Sequence, residues 1–257
     1  MSTTLISSKG KTERVQYGDL EHIATPPSSR YWRPVSHKQL VDTLTQEVYA
    51  RGFEVSKADY AIGNDGLKLF GTMDLMPANG RSLLSGIGNA IGFRHSNDKR
   101  VALQIVGGAR VFVCDNMAFS GDATILKHKH TWNFSIRDLI SHGLDIWTRK
   151  QGRMVADIER MARTPLSNEQ AQSVMAKALY EGVTTFQTFK LAYDLFFERA
   201  CTHPEQYQDC APRTLWGLHN AYTRALKEST PNAAFNGTIE LAKVFGLGTE
   251  STYALAA

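Results

Sequence analysis

Arg100-Val101-Ala102-Leu103-Gln104-Ile105-Val106-Gly107-Gly108-Ala109-Arg110-Val111-Phe112-Val113-Cys114 is the stretch whose reading decides the fold. Val101, Leu103 and Ile105, then Val111 and Val113, alternate with other residues at the twofold period of a strand. The pattern predicts a hairpin of 100–106 and 110–114 around a turn at Gly107-Gly108. Val106 and Phe112 make the second face apolar too, which places the pair inside a sheet covered on both sides.

Working outward, 54–62 and 67–75 flank Asn64-Asp65-Gly66, and Leu67, Leu69, Met73 and Leu75 share one face, so a second hairpin precedes the first. Before it, Leu40, Leu44 and Val48 recur every four residues, with Ser36 as cap, Gln39 at the third helical position and Gly52 as the stop. The run 127–134 reads as one more strand. Beyond Ser135, with Asp138 three residues on, the period becomes helical, giving helices near 136–162, 168–181, 185–200, 213–228 and 237–245. Pro165, Gly182, Pro204, Pro212, Pro231 and Gly246 punctuate them, and Gly143 and Gly152 are expected to bend or break the first. Strands followed by helices make an α+β protein, a mainly antiparallel sheet packed with a helical C-terminal half. Residues 1–34, polar and without a sustained period, read as a flexible arm with an ordered end. Residues 35–134 read as the helix and sheet, and 135–257 as the helical region packed on it in one compact domain.

The 257 residues, 42% hydrophobic and 21% charged, suit a globular chain with a real core. No run reaches the ~18 apolar residues that cross a bilayer, and 1–11 lack the apolar core of a secretory signal, so no membrane partner is expected and the cytoplasm is the expected compartment. Three cysteines, Cys114, Cys201 and Cys210, make no disulfide framework.

The net charge of +4 is small, but from Arg81 to Arg160 there are 12 basic and 7 acidic residues, so the excess lies in the middle third. Within it, Lys127-His128-Lys129-His130-Thr131-Trp132-Asn133-Phe134 interleaves cations with rings. Single-stranded nucleic acid needs both, cations for phosphates and aromatic faces for bases. Lys99, Arg100 and Arg110 extend that surface; the competing reading has Trp132 and Phe134 anchoring the sheet with the lysines in water. A second candidate site is polar: Arg94, His95 and Asp98 before the hairpin, with Asp115 and Asn116 after it, offer acid–base and phosphate-holding groups if they gather at one sheet end. The same Ser-Asn-Asp run is also what a tight turn uses for its own hydrogen bonds.

Other motifs yield less. Gly86-Ile87-Gly88-Asn89-Ala90-Ile91-Gly92 misses the spacing of a dinucleotide fingerprint and is read as a turn between sheet elements. His128 with His130, and Cys201, His203 and Cys210 with His219, have metal-ligand types without a usual frame, so no metal and no cofactor is assigned. Trp216, Asn220 and Thr223 share a helix face, read as buried polar groups between helices.

Tyr31-Trp32-Arg33-Pro34-Val35-Ser36-His37, His95-Ser96-Asn97-Asp98, Val113-Cys114-Asp115-Asn116-Met117 and Thr214-Leu215-Trp216-Gly217-Leu218-His219-Asn220-Ala221 occur in an order that resembles the phage- and plasmid-related proteins grouped as domain of unknown function 932. The resemblance spans about 30–228, and this chain has Lys99 where a turn glycine is expected. It implies a mobile-element origin and a setting in host cytoplasm, and supplies no catalytic residues. The leading expectation is a non-catalytic nucleic-acid-binding protein favouring single-stranded DNA in replication or recombination, with the helical half giving packing or self-association. The alternatives are an enzyme acting on nucleic acid or nucleotide through the polar site, and a protein that blocks a host defence factor.

Overall fold

The computed structural model describes residues 12–78, 87–111, 116–129, 135–198 and 213–247. Six strands, β1 (Thr12–Val15), β2 (Phe53–Gly63), β3 (Lys68–Pro77), β4 (Ile87–Ser96), β5 (Leu103–Val111) and β6 (Asn116–His128), form one antiparallel sheet in chain order. Helix α1 (His37–Tyr49) separates β1 from β2. After the sheet come α2 (Ile136–Arg163), α3 (Asn168–Tyr180), α4 (Phe186–Tyr193), α5 (Leu215–Leu226) and α6 (Pro231–Val244). The α+β class read from the sequence is the class observed.

Local chemistry sets the ends of these elements. The Ser36 hydroxyl accepts from the Gln39 N–H at 3.0 Å to start α1, and Gly52, at φ +75°, follows its last turn. Asn64 and Asp65, both at φ +54°, and Gly66 at +83° make the β2–β3 turn, a left-handed run that Asn, Asp and Gly tolerate best. Ser135 caps α2 through the Asp138 N–H, as its sequence suggested.

Strand alternation divides the interior. On one face Leu69, Met73, Leu75, Ile91, Phe93, Leu103 and Ile105 pack under Leu40, Leu44 and Val48 of α1 and Ile140, Leu144 and Trp147 of α2. Fully burying each such side chain stabilises the fold by roughly 1.5–3 kcal/mol. On the other, Ala90 and Val106 join Met154, Ile158 and Met161 of α2 and the apolar faces of α3, α5 and α6. Arg51 ties the end of α1 to α2, donating to Asp145 at 2.7 Å and to the Ser141 carbonyl at 2.7 Å while pairing with Glu47.

Several expectations are corrected. Gly107-Gly108 is not a turn: β5 runs through both, and a Cβ on Gly107 would lie 2.0 Å from Cδ1 of Trp147. The glycine marks where the indole lies on the sheet, which is the other meaning glycine has in a strand. Residues 87–92, read as a turn, belong to β4. The strand expected at 127–134 is the tail of a longer one that ends at His128; 130–134 lie outside the described residues. Within the arm, the described residues 12–34 carry structure. Its four-residue β1 pairs with Tyr60–Gly63, and a 3-10 turn at Tyr17–His22 buries Leu20, using too few apolar residues to show a period. Helix α2 runs unbroken through both glycines, and α6 starts at Pro231 in its first turn, where proline's missing N–H costs nothing, rather than at 237.

Candidate functional site

The end of the sheet formed by the β2–β3 turn, the β4–β5 connection and the tail of β6 collects most of the polar residues singled out above. Register fixes this: Phe70 pairs with Arg94, Arg94 with Gln104, and Gln104 with Lys127, so these four form one row across β3 to β6. His128 pairs with Leu103 in the next row.

Arg94 and His95 are neighbours on one strand and therefore face opposite ways. Arg94 turns toward α6, donating to Gln104 Oε1 at 2.7 Å and Asn232 Oδ1 at 2.6 Å, with its guanidinium 4.9 Å from the Phe235 ring centroid. Burial pulls its pKa down, and its hydrogen-bond partners are neutral amides. His95 turns toward α1, where its ring meets the edge of His37 at 4.8 Å. Both histidines are 1% exposed. His37 Nε2 lies 2.6 Å from the Gly66 carbonyl; burial lowers its pKa, and that hydrogen bond only partly opposes the fall.

Asp98 locks the turn. It is bonded to the Ser96 hydroxyl, accepts from the Arg100 N–H at 2.9 Å and Asn64 Nδ2 at 2.8 Å, and pairs with Lys68 at 3.7 Å. Burial alone would raise its pKa, but these donors and cations hold it below the usual carboxylate value. Asn97 pins the segment before α1 to the same turn: its Oδ1 accepts from the Val35 N–H at 3.3 Å and its Nδ2 donates to the Val35 carbonyl at 2.9 Å. The motifs 31–37 and 95–98, far apart in the chain, thus meet.

Asn116 lies elsewhere. It pairs with Val111, and Val111 with Ile87, seven residues along β4 from Arg94, or about 23 Å at the rise of a strand. The polar groups expected to converge are therefore split, Asn116 by sheet end and Arg94 from His95 by face. Asp115, His130 and Trp132 lie outside the described residues. Arg110 is placed on β5 beside Gly88, toward the Asn116 end.

What the end of the sheet does gather is positive charge. Arg30, Arg33, Lys99, Lys127 and Lys129 are exposed there, and none forms an ion pair among the described residues. Aromatic rings accompany them: the Arg30 guanidinium lies 5.2 Å from the Tyr31 ring centroid, and Lys99 Nζ 4.8 Å from that of Trp32. Lys99 has φ +65°. A left-handed residue with a Cβ costs about 1–2 kcal/mol, while an exposed cation–π contact returns about 0.5–1 kcal/mol. On these figures glycine would serve the fold at this position as well as lysine. Tyr31-Trp32-Arg33 enters the sequence reading only as a family motif, although Arg30-Tyr31-Trp32-Arg33 has the same interleaving of cations and rings as 127–134.

Among the described residues, no group of three or more His, Cys, Asp or Glu is placed to hold a metal, and no helix is long and apolar enough to cross a membrane. His219 lies in the helical core, stacked on Trp216 with ring centroids 5.1 Å apart, and neither ring nitrogen has a hydrogen-bond partner among the described residues.

The family model described as Domain of unknown function (DUF932) matches residues 27–243. No curated protein and no solved structure matches the chain.

Proposed function

Because the chain belongs to the DUF932 family, whose description states no activity, we propose a function from the site itself: a nucleic-acid-binding protein that takes single-stranded DNA along the cationic end of its sheet, in replication or recombination. One observation carries the reading. Cations from separate stretches of chain, Arg30 and Arg33, Lys99, and Lys127 with Lys129, lie toward one end of the sheet without carboxylate partners among the described residues, and rings lie among them. Unneutralised cations displace the counterions of a phosphate backbone, and aromatic rings beside them are what unpaired bases stack on. The separation of Asn116 from Arg94 and His95 removes support from an enzymatic reading.

The test is fluorescence anisotropy with a labelled single-stranded oligonucleotide at two salt concentrations, with a duplex of the same length beside it. Lys127→Ala/Lys129→Ala should weaken binding roughly tenfold at low salt and flatten the dependence of log K on log salt by about 1.4, the share of two phosphate contacts on a single strand. Absence of binding at low salt, or a variant with the parent's slope, overturns the reading.

A further inference from the structure

We infer that the turn 29–32, and Tyr31 in particular, is the element that reads unpaired bases at this edge, with Lys99 holding the adjoining phosphate; the inference rests on the nucleic-acid reading above. The turn is closed by backbone hydrogen bonds in both directions, Ser29 N–H to the Trp32 carbonyl at 2.9 Å and Trp32 N–H to the Ser29 carbonyl at 3.3 Å, which leaves Arg30 and Tyr31 at its tip. Tyr31 is 73% exposed, an aromatic ring held out into water on a short, bonded loop with a guanidinium against it. The next residue, Trp32, lies beside Lys99, and Val35 is clamped by Asn97, so the turn is fixed to the β4–β5 connection at two points. A stacking platform needs these properties: an exposed ring, a rigid mount and a cation at hand for the phosphate. Lys99 supplies the cation: it is exposed, its ammonium lies 4.8 Å from the Trp32 ring centroid, and its left-handed backbone is one that glycine would adopt without strain.

Bases paired in a duplex are stacked on one another and present no free face to Tyr31, so the turn would discriminate strands by base exposure, whereas Lys127 and Lys129 would act on phosphate alone. Two probes separate these roles: a labelled single-stranded oligonucleotide and an abasic deoxyribose-phosphate oligomer of the same length. The parent should prefer the base-bearing strand at least about fivefold, in line with the gain of ~1 kcal/mol or more from stacking even one base. Tyr31→Ala should erase most of that preference while leaving the abasic oligomer's affinity unchanged, and Tyr31→Phe should retain it. Lys99→Gly should weaken both probes severalfold with a melting temperature no lower than the parent's. Equal loss on both probes in Tyr31→Ala, or no loss on either, overturns the inference while the phosphate reading stands on the Lys127 and Lys129 result. A parent that binds neither probe overturns both.

Discussion

Gly107→Ala should destabilise the protein by about 3 kcal/mol, lowering the melting temperature by about 6–12 °C for a chain of this size. The added Cβ would stand 2.0 Å from Cδ1 and 2.4 Å from Nε1 of Trp147, well inside van der Waals contact. Trp147 is itself held by the Phe53 ring 5.3 Å away and by the rest of α2, so the indole has nowhere to rotate without disturbing the helix. The cause is checked by a double-mutant cycle. Trp147→Ala alone should cost about 3–5 kcal/mol for the lost ring. Adding Gly107→Ala in that background should then cost little, because the methyl group enters the space the indole vacated. Equal penalties for Gly107→Ala in both backgrounds would show that backbone entropy, and not the indole, demands the glycine.

Acid should begin to destabilise the protein below about pH 6.5, before its carboxylates titrate, with His219 as the leading cause. Burial pushes its pKa down to about 3, so the folded protein keeps the imidazole neutral while the unfolded chain takes up a proton near pH 6.5. Between those values the unfolded state binds more protons, and stability therefore falls as the pH falls; above about 6.5 the contribution is fully present. Two units below 6.5, the loss from this one ring is about 3 kcal/mol, at ~1.4 kcal/mol per unit. His37, also lowered by burial, adds in the same direction. Urea unfolding at pH 7.5 and pH 4.5 measures the effect, and His219→Leu should remove most of it. At neutral pH the leucine should cost little or even stabilise, since both ring nitrogens of His219 are buried without hydrogen-bond partners among the described residues. A leucine variant as acid-sensitive as the parent would assign the effect to other groups.

The parts of the fold legible in the sequence are those where one residue type has one meaning. Asn64-Asp65-Gly66 between alternating runs predicts a hairpin because a left-handed turn is nearly all such a tripeptide can do there, and the structure has it. Ser36 and Ser135 predict helix starts for the same reason. Gly107 was misread because glycine in a strand also answers close approach, and the partner, Trp147, lies forty residues away where no local pattern reveals it. Pro231 likewise ends helices and begins them.

The site was harder to read. Taking 87–92 as a turn hid the alternation of β4, and with it the opposite facing of Arg94 and His95. Reading 1–34 as an arm hid Tyr31 and Trp32, because what fixes them is the long-range clamp of Asn97 on Val35 rather than any period of their own. The basic, aromatic pattern was a usable signal, and it was present at 30–33 as well as at 127–134.

Helix α2 places Ile140, Leu144 and Trp147 in one hydrophobic cluster and Met154, Ile158 and Met161 in the other. It therefore acts as a phase-setting shaft. One residue inserted between the two triplets would turn the second by about 100° and advance it by about 1.5 Å, swinging its apolar stripe out of the helical core while the first stayed seated on the sheet. Gly152, whose missing Cβ would meet nothing within 4 Å, can change its side chain freely, yet no residue can be added or removed beside it without dephasing the two halves of the protein. Length, rather than identity, is the constrained quantity over residues 148–153.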